Sequence, residues 1–166
     1  MKSSTSATTR ADMPRFADAL YNIALTLWVG GLWAIGYVVA PTLFATLGGD
    51  RPLAGMLAGK LFELIGWIGL ACASYLLLFE LLHNGTAVWR RRAFWLLVVM
   101  LLLTVVSLFG VQPLLAQIKA DALPREVMES VLRNRFATWH GVSSVLYLVQ
   151  SLLGLLLVVS AGRGPR

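Results

Sequence analysis

Apolar runs at 20–40, 61–82, 94–111 and 139–161 take up most of this chain, and short charged stretches separate them. A helix needs about 20 apolar residues to cross the hydrocarbon core of a bilayer. In lipid the backbone must satisfy its own hydrogen bonds, so a run of that length is helical. The pattern therefore predicts an all-α protein: a four-span transmembrane up-down helix bundle with a short amphipathic helix before the last span. Any chemistry has to sit between these helices or at their ends.

Composition agrees. Of 166 residues, 58% are hydrophobic and 13% charged, against about 25% charged in an ordinary soluble domain. Four spans leave no room for a second domain, so residues 16–162 read as one membrane domain. Residues 1–15 are polar and rich in Ser and Thr, and read as a disordered cytoplasmic tail. The first apolar run exceeds the 7–15 residues or so of a signal-peptide core and lacks a clear small-residue cleavage site, so it reads as a retained span. The net charge of +6 does not indicate nucleic acid, because the cations gather at span ends, where topology accounts for them. Cys72 is the single cysteine, which excludes an internal disulfide.

With four spans both termini lie on one side. That side carries Lys2, Arg10, Arg15, Arg90, Arg91, Arg92, Arg163 and Arg166, eight cations. The other side carries six: Arg51, Lys60, Lys119, Arg125, Arg133 and Arg135. The compact Arg90–Arg92 triplet in a short loop adds weight, and the positive-inside rule places the termini in the cytoplasm. In the long second outer loop, Pro124 suits a first helical turn. Val127, Met128, Val131 and Leu132 then recur on one face, and Glu129 and Arg133 stand at i, i+4. These mark the amphipathic helix, from Pro124 to about Arg135.

Membrane helices associate through small residues and polar seams. Span two offers Gly55, Gly59, Gly66 and Ala73, and span one Asn22, Thr26, Gly30, Ala34 and Tyr37. Span three offers Thr104, Ser107 and Gly110. Span four offers His140, Ser144, Tyr147, Ser151 and Gly154, with Leu148, Leu152, Leu155 and Val159 toward lipid. Helix packing explains most of these positions. Ionisable and polar groups at the outer helix ends are the functional candidates. They are His140, Lys60, Glu63, Ser144, Tyr147, Pro41, Gln112 and Arg135, with Pro41 and Pro113 expected to end spans one and three. Interface anchoring explains the same cluster without a ligand: Lys60 and Glu63 can neutralise each other, and His140 can sit at headgroup level beside Trp139.

Cofactor chemistry finds little support. A bis-histidine haem needs two ligands at one depth, but His83 and His140 fall at opposite faces. The Glu80-x-x-His83 spacing is one half of a carboxylate-bridged di-iron motif, and such a bundle needs two plus further glutamates. Copper would use Cys72, Met56 or Met100, which are not clustered. No cofactor is required by the sequence; haem or copper at His140 remains an alternative.

The stretches Leu27-Trp28-Val29-Gly30-Gly31-Leu32, Ala40-Pro41-Thr42-Leu43-Phe44 and Ala54-Gly55-Met56-Leu57-Ala58-Gly59-Lys60-Leu61-Phe62, with Arg135-Phe136, Trp139-His140-Gly141-Val142-Ser143-Ser144, resemble the bacterial branch of the family built around transmembrane protein 205. The likeness covers about residues 20–160. It implies a four-span fold and draws attention to Pro41, Lys60, His140 and Ser144, with no established activity. Eukaryotic relatives are associated with platinum-drug resistance, and their pattern has an Asn where this chain has Leu146 and Tyr147. The Trp-x-Gly-Gly opening also resembles copper-resistance D-type membrane domains and small membrane protoporphyrinogen oxidases.

These readings converge on a small membrane protein without catalysis, a binding or transport-associated module with a polar pocket at the outer end of the bundle. Two alternatives stay open: a redox or metal/porphyrin protein using His140, and a structural subunit of a larger membrane complex. The expected partners are the lipid bilayer and a homo-oligomer or larger assembly, with no nucleic acid.

Overall fold

A computed structural model describes the backbone of residues 8–122 and 130–161 and the side chains of residues 16–118 and 134–160. The described residues are helical, without strands, and form a four-helix bundle. Four stretches are long and apolar enough to cross a membrane: Phe16–Thr46, Arg51–Arg90, Arg92–Ile118 and Asn134–Ser160. Each is longer than its apolar run. A formed span supplies the helix nucleus, after which each added residue gains a backbone bond at little cost.

Span one is built from α1 (Thr8–Ala34), a π turn (Ile35–Val39) and α2 (Ala40–Thr46). Span two is α3 (Arg51–Asn84), followed by a 3-10 turn (Gly85–Arg90). Span three comprises α4 (Arg92–Val105), a second π turn (Val106–Val111) and α5 (Gln112–Ala122). Span four is α6 (Ser130–Ala161). α1 already begins at Thr8, so residues 8–15 extend the first helix rather than forming a polar tail; residues 1–7 lie outside the described residues. Residues 124–129 of the expected amphipathic helix lie outside them too. Its end, from Ser130, runs straight into span four.

Pro41 and Pro113 do not end their spans. Both helices continue through them, and in each a π turn stops two residues before the proline. A proline ring within an α-helix collides with the carbonyl four residues back and supplies no N–H. One widened turn relieves that collision. Here the Ala40 N–H bonds to the Ile35 carbonyl and the Gln112 N–H to the Ser107 carbonyl, five residues back. The helix keeps its direction and the span lengthens. Spans one and three also bury matching positions ahead of the turn: Leu25, Trp28 and Leu32 in one, Leu97, Met100 and Thr104 in the other.

The core lies where the spans exchange large side chains for small ones. α3 buries Ala54, Ala58, Ile65, Gly69, Cys72, Leu76 and Glu80 along one stripe. Steps of three, four and seven mark the seam of a left-handed bundle. At Gly69 a Cβ would land on the indole of Trp28, which is 1% exposed. Gly154 receives Val29 and Met100, and Gly66 receives Leu108. Of the seam expected in span two, Gly66 makes a close contact of this kind and Ala73 is fully buried in the core. Gly69, at the alternate heptad position, accepts the largest core side chain.

Span one turns opposite to expectation. Asn22, Thr26, Gly30, Ala34 and Tyr37 are all exposed, and the buried side is Ala24, Leu25, Trp28 and Leu32. The pairing of Trp28 with Gly69 explains this: without a hydrophobic force between helices in lipid, packing of complementary shapes decides the interface. On span four, Leu148, Leu152, Leu155 and Val159 are exposed, as befits a lipid face. Gly69→Leu should therefore destabilise the protein by about 1–3 kcal/mol or more, whereas Leu152→Ala should change little. Thermal unfolding in detergent measures both, and equal losses would misplace the seam.

Candidate functional site

Polar side chains gather at three levels. The deepest is a pair between spans three and four. Gln150 Nε2 donates to Thr104 Oγ1 at 2.6 Å, and Thr104 Oγ1 donates to the Met100 carbonyl at 2.9 Å. Both side chains are buried. Ser151, fully buried next to Gln150, returns its hydroxyl to the Tyr147 carbonyl at 2.8 Å. Gln150 was missed in the sequence because it lies beside the small-residue stripe of span four rather than on it.

Toward the loop end, Tyr147 joins three spans. Its hydroxyl donates to the Leu32 carbonyl at 2.6 Å, its ring meets Phe62 edge-on at 5.0 Å, and Tyr37 lies 6.3 Å away. Gly36, in the first π turn, lets that ring come close. Beyond it stand most of the sequence candidates. Lys60 Nζ donates to Glu63 Oε2 at 3.0 Å, with side chains 77% and 45% exposed. Such a pair contributes no more than about 1 kcal/mol. His140 is exposed and stacks on Phe136, one turn earlier, at 5.7 Å. Ser144 donates to the His140 carbonyl at 2.9 Å, which commits its proton to its own helix. Pro41 and Arg135 are exposed and Gln112 is half-buried. Around the first π turn an open apolar groove is lined by Val38, Val39, Thr42, Leu43, Thr46 and Leu47.

Among the described residues no hydrogen bond or ion pair joins the His140 imidazole to Lys60 or Glu63. The Phe62–Tyr147 contact fixes their levels. At 1.5 Å per residue, His140 is about 10 Å beyond Tyr147 and Lys60 about 3 Å beyond Phe62. The lysine must extend along its helix to approach the imidazole, as its flexible stem permits.

The third cluster lies at the opposite end, around Glu80, which the sequence offered only as one half of a di-iron motif. Glu80 is 6% exposed. Its Oε2 accepts from Arg91 NH1 at 3.0 Å and from Asn84 Nδ2 at 2.8 Å, and its Oε1 accepts from the Tyr21 hydroxyl at 3.4 Å. One carboxylate thus ties span one, span two and the start of span three. Asn84 also donates to the Glu80 carbonyl at 3.1 Å, and Gly85, at φ +51°, makes a turn that a side chain would strain. The neighbouring His83 is exposed and stacks on Phe79 at 5.1 Å. The sequence signal available was Glu80 itself: an acid eleven residues before Arg91, facing the same way as Leu76 and Ala73.

His83 and His140 end up at opposite ends of the bundle. Among the described residues no three His, Cys, Asp or Glu side chains come together as a metal site. Every buried side-chain nitrogen or oxygen described has a hydrogen-bond partner.

Removing one member of a buried charge pair strands the other. Arg91→Ala should cost about 1–3 kcal/mol, and Lys60→Ala less than about 1 kcal/mol. Unfolding in detergent compares them; equal effects would mean that Glu80 finds another partner.

The comparisons with known proteins bear on the first three spans. A family model described as a domain of unknown function, DUF4149, matches residues 23–124. That stretch holds Trp28, Gly69, both proline turns, Lys60, Glu63, Glu80 and Arg91; His140, Ser144, Tyr147 and Gln150 fall outside it. No curated protein and no solved structure matches. A match over more than half of the chain settles the family: this multi-pass membrane protein belongs to DUF4149, a domain of unknown function.

Proposed function

We propose that this protein is a non-catalytic membrane module that binds its ligand at the loop end of the bundle, around His140, with Lys60 and Glu63 as charged neighbours and Arg135 and Gln112 at the rim. The observation that carries this reading is how the polar groups are spent. Thr104, Gln150, Ser151, Tyr147 and Glu80 are bound to partners inside the protein. The His140 imidazole is exposed, with no hydrogen bond to its ring nitrogens among the described residues, and Lys60 is engaged in one exposed pair. A neutral imidazole can accept a proton or coordinate a metal, and a nearby ammonium favours an anionic group. The likeness to the family built around transmembrane protein 205 belongs to the same reading, since it picks out Pro41, Lys60, His140 and Ser144.

In this reading the protein sits in a bacterial inner membrane with its termini and Arg90–Arg92 in the cytoplasm. The cation distribution supports that orientation. A thiol-reactive, membrane-impermeant label should reach an Arg51→Cys variant from outside intact cells; labelling only after the inner face is opened reverses the assignment.

The site is tested by variants at the two histidines. His140→Ala should fail to restore the phenotype of a deletion strain at near-normal membrane abundance, and His83→Ala should restore it. The opposite outcome moves the functional end of the bundle. Detergent-purified protein should show no Soret band and no stoichiometric copper; either one favours the redox alternative at His140.

A further inference from the structure

Arg90, Arg91 and Arg92 are consecutive, but the fold uses them differently. Arg91 turns inward to the buried Glu80 carboxylate. Arg90, at the end of the 3-10 turn, and Arg92, at the start of α4, are exposed. Neither forms an ion pair among the described residues. Asp18, the other described acid at this end, is exposed on α1 and pairs with neither.

The loop holding them is firmly set. Val88 is fully buried, and its carbonyl accepts the Arg91 N–H at 2.9 Å. Trp95 Nε1 donates to the Trp89 carbonyl at 3.0 Å, bridging the turn to the first turn of α4. Both indoles are about half exposed, 58% and 50%, and they pack with each other at 6.1 Å and against the buried Phe94 at 5.3 and 5.8 Å. Tryptophans with one wet and one apolar side mark the headgroup level of a bilayer. Two guanidiniums without an ion pair among the described residues thus stand beside an aromatic shelf of the kind that marks the headgroup level. The charged cluster at the loop end differs, since Lys60 there has its own acid.

We propose that Arg90 and Arg92 bind the phosphate of an anionic phospholipid headgroup, with Trp89 and Trp95 holding the lipid at the interface and Arg91 acting as a strut that fixes the loop. Guanidiniums match phosphate oxygens with paired N–H groups. The acyl chains of the same lipid would cover the exposed apolar face that continues from Trp95 along α4, including Val99 and Leu102 one and two turns further on. A soluble phosphate would gain nothing from that surface. This assignment does not depend on the ligand site at the other end.

The experiment titrates purified protein in detergent with phosphatidylglycerol and with phosphatidylcholine of the same acyl chains. Bound lipid is counted by native mass spectrometry, and the unfolding temperature is measured alongside. The wild type should prefer phosphatidylglycerol, by roughly fivefold for each arginine. Arg90→Gln with Arg92→Gln should abolish the preference while leaving the unfolding temperature in detergent unchanged. Arg91→Gln should lower that temperature and keep the preference; Glu80→Gln should do the same and stands in if Arg91→Gln does not fold. A wild type indifferent to headgroup charge overturns the proposal. So does a double variant that keeps the full preference, or one no more impaired than Arg91→Gln.

Discussion

In hydrocarbon there is no water to take up an unpaired backbone or side-chain polar group. Much of this structure follows from how that requirement is met. The prolines show it most directly. A proline in the interior of a span removes a donor and pushes a carbonyl aside, and the two spans that carry one there, at Pro41 and Pro113, each answer with a single π turn. At the first of these turns the freed geometry is used: Tyr147, from span four, places its ring beside Gly36 and donates to the Leu32 carbonyl. The defect in one helix becomes the attachment point of another.

The same rule governs the buried side chains. Gln150 and Thr104 satisfy each other near the middle of the bundle, and Glu80 collects three donors near one end. Such groups add only modestly to stability, because the membrane-inserted unfolded chain also finds partners for them. They do restrict which helix faces can meet. Slipping span four by one residue against span three would separate Gln150 from Thr104 and Gly154 from Met100 together. Shape and polarity thus select the same register.

How much of this was legible in the sequence depends on the kind of force involved. The spans were legible, since hydropathy over about 20 residues is a property of each segment by itself. The lipid face of span four was legible from helical spacing, which sets Leu148, Leu152, Leu155 and Val159 opposite the small residues of the same segment. The face of span one was not. Asn22, Thr26 and Gly30 look like a seam by residue type, but Trp28 needs a glycine opposite it, and only the three-dimensional arrangement shows that Gly69 provides one. The passage through Pro41 and Pro113 was also hidden, because a proline reads as a stop until a widened turn is seen to absorb it. At the candidate site, the sequence brought Lys60 and Glu63 together through i, i+3 spacing, which is local. The relation of either to His140 depends on the register of two spans, set by the Phe62–Tyr147 contact.

The two ends of the bundle consequently differ in kind. At the end with the termini, a buried carboxylate locks three spans and a rigid turn, so the loop presents the same surface whatever binds. At the loop end, among the described residues, Lys60 and Glu63 pair locally and weakly, and the His140 ring stacks on Phe136 of its own helix. A site that must reorganise around a ligand belongs where few interspan bonds oppose movement, and a site that reads the membrane surface belongs on a fixed frame. The proposed lipid recognition on the Arg90–Arg92 loop and the proposed ligand binding near His140 would each fall at the end whose mechanics suit it. Arg91, although flanked by two exposed arginines, is the one whose loss should loosen the bundle, because it alone of the three is bonded to the buried Glu80 carboxylate among the described residues.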